Sequence, residues 1–449
     1  MLSKLYKSRF LKILFAGLLF VTVFVTVSFY CWRSWRVHSI PDVGEPFDVA
    51  AFKNQTGDGE EIARITIEAS KQWDALCQKH EDVWFSYYND TVQVPTWKAA
   101  DPVIKTDVRN AQTILTDWFR VGELRPGLLR SLDVYYDNIF NHDRVRLAQR
   151  DLARLTEMSL LDAIERSDFD QQQKLYINFL STNSAYLHDD VMNYLTSTAS
   201  LSVVIGDRLG IFLNQQDIPV SHLWKLKSAL ERHQDRQPPV STYFKYQYLA
   251  APALIEYYAV SESVLAQRIL DEDESTRRLL NLLFANWLRY CDLPASERPP
   301  IKTFHLDIFV PPSSINEIKE GMTTEIEFEY FDDSNSDQIT DYWKIPSYPQ
   351  QIRLNLLISN TLESLLNAWK RSQMKEELYL TRLALHLYYR DHDQFPETLN
   401  ELVPKYLRSV PLNYNDGTPV EYSLENDTAS LKPHDKHYAA TITPPGSDL

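Results

Sequence analysis

Residues 383–423 read LALHLYYRDHDQFPETLNELVPKYLRSVPLNYNDGTPVEYS and carry the strongest local signals in the chain. Leu380, Leu383, Ala384, Leu387 and Tyr388 recur at i, i+3, i+4, i+7 and i+8, which makes one apolar stripe on a helix. Asp391, His392 and Asp393 follow, and Phe395-Pro396 closes the helix because the residue before a proline avoids the α conformation. Leu399, Leu402 and Val403 then give a short second helix its apolar face. Asp416-Gly417 supplies a turn that needs φ > 0, feeding a strand with Val420, Tyr422 and Leu424 on one face. Asn426-Asp427 turns the chain into a return strand near Ala429 to Leu431. Residues 351–449 are thus expected to form a long helix with a small α+β module, a helix plus a hairpin.

Upstream, residues 301–350 read as an irregular connection containing a strand. Ile326, Phe328 and Tyr330 alternate with Glu325, Glu327 and Glu329, the period of two of a half-buried strand, and DDSNSDQ at 332–338 reads as a mobile loop. Residues 61–300 read as an array of α-helical hairpins separated by QPPV at 237–240, LPASERPP at 293–300 and VPPSS at 310–314. Within the array Ala148, Leu152, Leu155 and Met158 recur at helical spacing. Ser221 is expected to cap a helix bearing Leu223, Leu226 and Leu230. Asp271, Glu272, Asp273 and Glu274 stand just before Leu280, Leu283, Trp287 and Cys291, where a first-turn acidic cluster complements the helix dipole. No repeat of fixed period emerges, so a regular solenoid is not implied.

The N-terminal end has a different character. Residues 13–31, ILFAGLLFVTVFVTVSFYC, contain no charge, and as a helix at about 1.5 Å per residue they cover roughly the 30 Å hydrocarbon core of a bilayer. Lys4, Lys7, Arg9 and Lys12 precede this segment and only Arg33 and Arg36 follow closely, so the positive-inside rule puts residues 1–12 in the cytoplasm. The stretch exceeds a usual signal-peptide core and lacks a small-x-small cleavage site, which favours an uncleaved anchor. Phe29 and Tyr30 before Cys31 do not fit a lipoprotein signal. Residues 32–60, with their prolines and glycines, read as a linker off the membrane. Everything beyond is expected outside the cytoplasm.

Composition narrows the function classes. Apolar types make up 44% of the 449 residues, which supports folded domains rather than disorder. Eleven glycines, never clustered, leave no phosphate cradle or dinucleotide turn, so no nucleotide is expected. Setting aside the six basic residues up to Arg36, forty cations face sixty-one acids, a net −21 that opposes nucleic-acid binding. Cys77 and Cys291 form neither a C-x-x-C nor a metal-ligand spacing; in an oxidising compartment they either pair or stay as separately buried thiols.

The 383–423 stretch resembles the C-terminal module of the major pseudopilins of type II secretion, and more closely a version found in large membrane-anchored bacterial proteins. The resemblance rests on Tyr388, Asp391, His392, Phe395 and Pro396, then Leu399, Leu402, Val403, Pro404, Tyr406 and Leu407, then Val410, Pro411, Gly417, Pro419 and Tyr422. It implies a long helix packed on a small antiparallel sheet. Some members bind calcium in the loop region, and Asp391, Asp393, Asn413, Asn415 and Asp416 offer the hard oxygen ligands for such a site. Turn chemistry explains the same residues equally well. The chain departs from the family at Asp393, often Gly, and at Asn413-Tyr414-Asn415, often Asp-Pro-aromatic. It has no acidic residue before Asp42, and no Glu before Glu45, so it lacks the Glu that prepilin processing and filament assembly require.

Catalytic signatures are missing: there is no H-E-x-x-H, G-x-S-x-G or S-x-x-K with partner motifs. His188-Asp189-Asp190 and Asn141-His142-Asp143 set His beside carboxylates, but adjacent helical residues do not face one another. His386 borders the Leu383–Leu387 stripe and reads as structural. The expectation is a mainly α protein: a transmembrane helix, an extracytoplasmic helical-hairpin array and a C-terminal α+β module. It would sit in a bacterial inner membrane and bind other envelope proteins, with no cofactor beyond a calcium ion at the loop. The alternative is an envelope hydrolase using carboxylate or metal chemistry in a cleft of the helical domain.

Overall fold

The computed structural model describes residues 2–53, 57–84, 97–127, 139–188, 191–257, 272–293, 297–298, 301–310, 322–331, 342, 345, 361–414, 417–434 and 439–446. They are mainly helical, with an apolar N-terminal helix and a small three-stranded antiparallel sheet near the C-terminus. In chain order the elements are α1 (Leu2–His38), α2 (Val49–Lys53), α3 (Gly59–Cys77), α4 (Pro102–Asn110), α5 (Gln112–Phe119), α6 (Ile139–Glu165) and α7 (Phe169–Ala185). Then come α8 (Val191–Val204), α9 (Gly206–Leu213), α10 (Val220–Asp235), α11 (Val240–Tyr257), α12 (Glu272–Asp292), β1 (Ile301–Val310) and β2 (Met322–Phe331). The chain ends with α13 (Thr361–His392), β3 (Glu421–Glu425), β4 (Thr428–Lys432) and β5 (Ala440–Ile442). Two compact units result, one of Met1–Val49 with Tyr248–Glu363 and one of Ala50–Gln247 with Ser364–Leu449.

In the first unit, an 18-residue window of Ile13–His38 has a mean hydropathy of 2.3 and is fully exposed, and the helix is long and apolar enough to cross a membrane. Its far end is seated on α12. Val37 and Ile40 are buried, Arg33 pairs with Glu272, and Arg278 donates to the Ile40 carbonyl at 2.9 Å. Arg277 bridges Asp42 and Glu274, each at 2.8 Å. The acidic first turn of α12, which dipole chemistry alone explains in sequence, therefore also grips the segment that leaves the apolar helix; Asp271 lies outside the described residues. Leu280, Leu283, Trp287 and Cys291 form the buried stripe of α12, as their spacing requires. β1 and β2 pair antiparallel, with Phe304 opposite Phe328 and Leu306 opposite Ile326. The loop expected at 332–338 and most of the breakers at 293–300 and 310–314 lie outside the described residues.

In the second unit, α3–α10 share one hydrophobic core with α13 and the C-terminal module. Ala148, Leu152, Leu155 and Met158 are buried on α6, and Leu223, Leu226 and Leu230 on α10. Ser221 is not the cap of α10: Pro219 occupies that position and Ser221 falls in the first turn. A proline needs no donor at a helix start, so the helix begins earlier than a search for a hydroxyl cap predicts.

The α13 stripe is buried throughout, from Leu380 to Tyr388. Fully burying one such leucine stabilises by about 1.5–3 kcal/mol. Asp393 follows the helix at φ 57°, its N–H donating to the Tyr389 carbonyl at 2.8 Å, so the helix ends on a left-handed residue three positions before Pro396. Thr398 and Glu401 form a capping box on the short turn Leu399–Leu402. Gly417 takes φ 70°, while Asn426 and Asp427 at φ 48° and 59° make the two-residue turn between β3 and β4. The hairpin gains a third strand, since β5 pairs with β4, Ala429 opposite Ile442. Three residues are too few to show a period in sequence.

Candidate functional site

A polar cleft of about 480 Å³ lies in the second unit, where α4 and α5 face the end of α6 and the start of α7. Local signals build its walls. Asp101 caps α4 through the Val103 N–H at 2.8 Å, with Pro102 in the first turn. Ser167 turns the chain at φ 54°, and Asp168 caps α7 through the Gln171 N–H at 3.0 Å. Asp162 lines the cleft and is only 2% exposed. It receives Arg109 Nε at 3.0 Å and Nη2 at 2.7 Å on Oδ1, and Arg166 Nε at 3.0 Å on Oδ2. Arg166 also reaches Asp168 at 3.2 Å. The Asp162 carboxylate holds the Arg109 guanidinium above its ordinary range, chiefly through this hydrogen bonding. A buried carboxylate needs such partners to offset its lost hydration.

Amides extend the network: Gln112 donates to Ser159 Oγ at 3.2 Å and accepts from Gln171 at 2.9 Å. Of the apolar lining residues, Phe119 is half-buried, while Leu115 and Leu175 are only 1% and 2% exposed. Both Asp162 oxygens are thus occupied by guanidinium donors.

A second arrangement escapes sequence inspection altogether. Ser184 Oγ stands 2.7 Å from His233 Nδ1, and His233 Nε2 stands 3.9 Å from Glu376 Oε1. The three come from α7, α10 and α13 in the order of an acyl-transfer triad. All are buried, none lines either cavity described here, and Ser184 already donates to the Leu180 carbonyl at 2.8 Å. His233 Nδ1–H then donates to Ser184 Oγ, leaving Nε2 as a lone pair facing Glu376. Burial pushes Glu376 up to about 8 and His233 down to about 4, so both are neutral at pH 7. Gln237 and Ser372 donate to the same Glu376 oxygen. A nucleophile must reach its substrate, and this one faces protein on every described side.

The residues singled out in sequence for calcium are used in other ways. Asp391 accepts from Tyr406 Oη at 2.6 Å and Lys405 Nζ at 2.7 Å, contacts that hold its carboxyl below the usual carboxylate range. Asp393 is the left-handed residue that ends α13. Asn413 is buried; its amide donates to Thr418 Oγ1 at 3.1 Å and the Pro419 carbonyl at 3.2 Å and accepts from the His434 N–H at 2.9 Å. Asn415 and Asp416 lie outside the described residues. A cavity of about 240 Å³ beside Asn413 is lined by Lys370, Arg371 and His434. Among the described residues no group of three His, Cys, Asp or Glu side chains gathers as a metal cage.

Of the histidines, His188 Nε2 meets the Arg236 carbonyl at 2.9 Å, and His386 is buried edge-on to Phe395, which pushes it down to about 3. Asp189 and Asp190, and the side chains of Asn141, His142 and Asp143, lie outside the described residues. Cys77 and Cys291 are free thiols, each pushed by burial to about 12. The chain matches no family model, no curated protein and no solved structure. What it does must therefore be argued from its own residues.

Proposed function

We propose that this chain is a single-pass protein of a bacterial inner membrane, with its N-terminus in the cytoplasm and a helical body outside it that works by binding other envelope components. The observation that carries this reading is the exposed apolar helix Ile13–His38, flanked by basic residues on its short side and continuous with a folded, acidic body. The C-terminal module, in which a long helix packs on a small antiparallel sheet, supports kinship with the pseudopilin type of interaction module. The cleft adds a recognition surface. Its clamped carboxylate gives less support to an envelope hydrolase, because the oxygens that would have to meet a substrate already accept from Arg109 and Arg166. The loop near Asn413 is proposed to hold its shape through amide and turn contacts, with calcium as an optional addition at Asn415 and Asp416.

Two measurements on the intact chain in bacterial cells test this. Alkaline phosphatase fused after Leu449 is expected to be active, and the chain is expected to resist carbonate extraction from membranes. An inactive fusion, or a chain released by carbonate, would sink the reading.

A further inference from the structure

The cleft has more cationic donors than its own carboxylates consume. Three cations line it, Arg109, Arg166 and Lys174, against Asp162 and Asp168. Arg109 spends Nε and Nη2 on Asp162, and Arg166 spends Nε on Asp162 and Nη1 on Asp168. Among the described residues, Arg109 Nη1, Arg166 Nη2 and the exposed Lys174 ammonium have no ion-pair partner. This surplus of positive charge is local, in a chain whose formal net charge is −15. The guanidinium planes are fixed by the buried Asp162, so their outward edges are presented without a further loss of side-chain freedom. Beside them lie the half-buried Phe119 ring and the Asn178 amide, an apolar side chain and a polar group of the kinds that small-ligand sites combine.

We infer that this cleft binds a small anionic ligand. Its carboxylate or phosphate is held by Lys174 and the outer edges of Arg109 and Arg166, and its body rests against Phe119. The inference deepens the binding role proposed above. It is measured on purified chain and does not depend on where that chain sits in the cell, so either can fail alone.

The test is a calorimetric titration of the full-length chain in nanodiscs of neutral lipid with three probes: galacturonate, galactose and inorganic phosphate. Galacturonate is expected to bind about tenfold or more tighter than galactose. Whichever of galacturonate and phosphate binds tighter assigns the oxyanion. Lys174→Glu should weaken the preferred anion by about tenfold or more, while Lys174→Arg keeps it within about threefold. Lys174 is exposed, so neither variant should move the melting temperature. Galactose binding as tightly as the better of galacturonate and phosphate, no binding of any probe at about 10 mM, or an unaltered affinity in Lys174→Glu overturns the inference.

Discussion

Arg33 and Glu272 stand 239 residues apart in the chain and 3.4 Å apart in the fold, with side chains only 8% and 4% exposed. Arg33 also donates to the Ile345 carbonyl. The pair fastens the end of the apolar helix to α12, and the Arg277–Asp42 and Arg278–Ile40 contacts extend the seam. A segment whose composition reads as a tether is therefore held against α12 by side-chain contacts within its own unit.

Breaking that pair from one side leaves a buried charge with one partner fewer. Glu272→Ala leaves Arg33 without its carboxylate, and the loss of one partner of a buried pair costs about 3–5 kcal/mol. Thermal unfolding of the intact chain in detergent should show the first unit melting several degrees lower. The double variant Arg33→Met, Glu272→Met should recover most of the loss, because two apolar side chains leave no charge to solvate. Equal melting of wild type and Glu272→Ala would show that the pair contributes nothing.

The Ser184–His233–Glu376 seam predicts a pH dependence with a definite sign. Glu376 is raised from 4.5 to about 8, so from pH 4.5 upward the unfolded chain releases a proton that the native state keeps, and stability falls as pH rises to about 8. His233 is lowered from 6.5 to about 4, so between those values only the unfolded chain takes the proton, and stability rises with pH. The two offset one another up to about 6.5, above which Glu376 acts alone. Groups facing the seam include Tyr194 and Tyr243, whose hydroxyls burial raises, together with Arg236 and Glu377. Stability should drop by about 1–2 kcal/mol between pH 6.5 and 8 in the wild type. Glu376→Gln should flatten that fall, and an identical slope in both proteins would refute the assignment.

The elements legible in sequence are those with a sustained period or an obligatory turn residue. The α13 stripe, Gly417 and the Asn426-Asp427 turn all stand where their spacing or φ requirement puts them. β1 carried a weaker signal: Phe304, Leu306 and Ile308 alternate with polar residues, but their partners on β2 lie some twenty positions away and pairing is what gives the alternation meaning. The cleft and the buried seam were not legible. Asp162, Arg109 and Arg166 look like ordinary helix-surface charges, and Ser184, His233 and Glu376 share no local motif. Both depend on which helices pack together, a property of tertiary contacts that single-residue spacing does not encode.

Asp393 separates turn chemistry from calcium binding. At φ 57° a Cβ is disfavoured, so Asp393→Gly should raise stability by about 0.5 kcal/mol if the residue acts only as the end of α13. A calcium ligand would behave in the opposite way, since removing it would abolish a calcium-dependent rise in melting temperature. Melting curves with calcium and with chelator, for wild type and variant, distinguish the two; the turn account predicts no chelator effect in either protein.

Asp162 separates a carboxylate that positions the cleft's arginines from one that merely opposes a ligand's charge. Its carboxylate fixes two guanidinium groups, so Asp162→Asn should weaken the α4–α6 junction by about 2 kcal/mol, less than a fully buried pair because both arginines keep an exposed edge. The freed arginines also become mobile, and an anion held by their outer edges should bind several-fold more weakly despite the gain of one positive charge, because preorganisation is lost. Simple charge attraction predicts the reverse, tighter binding in Asp162→Asn. Measuring galacturonate affinity and unfolding in the same variant decides whether Asp162 positions the arginines or merely opposes the ligand's charge.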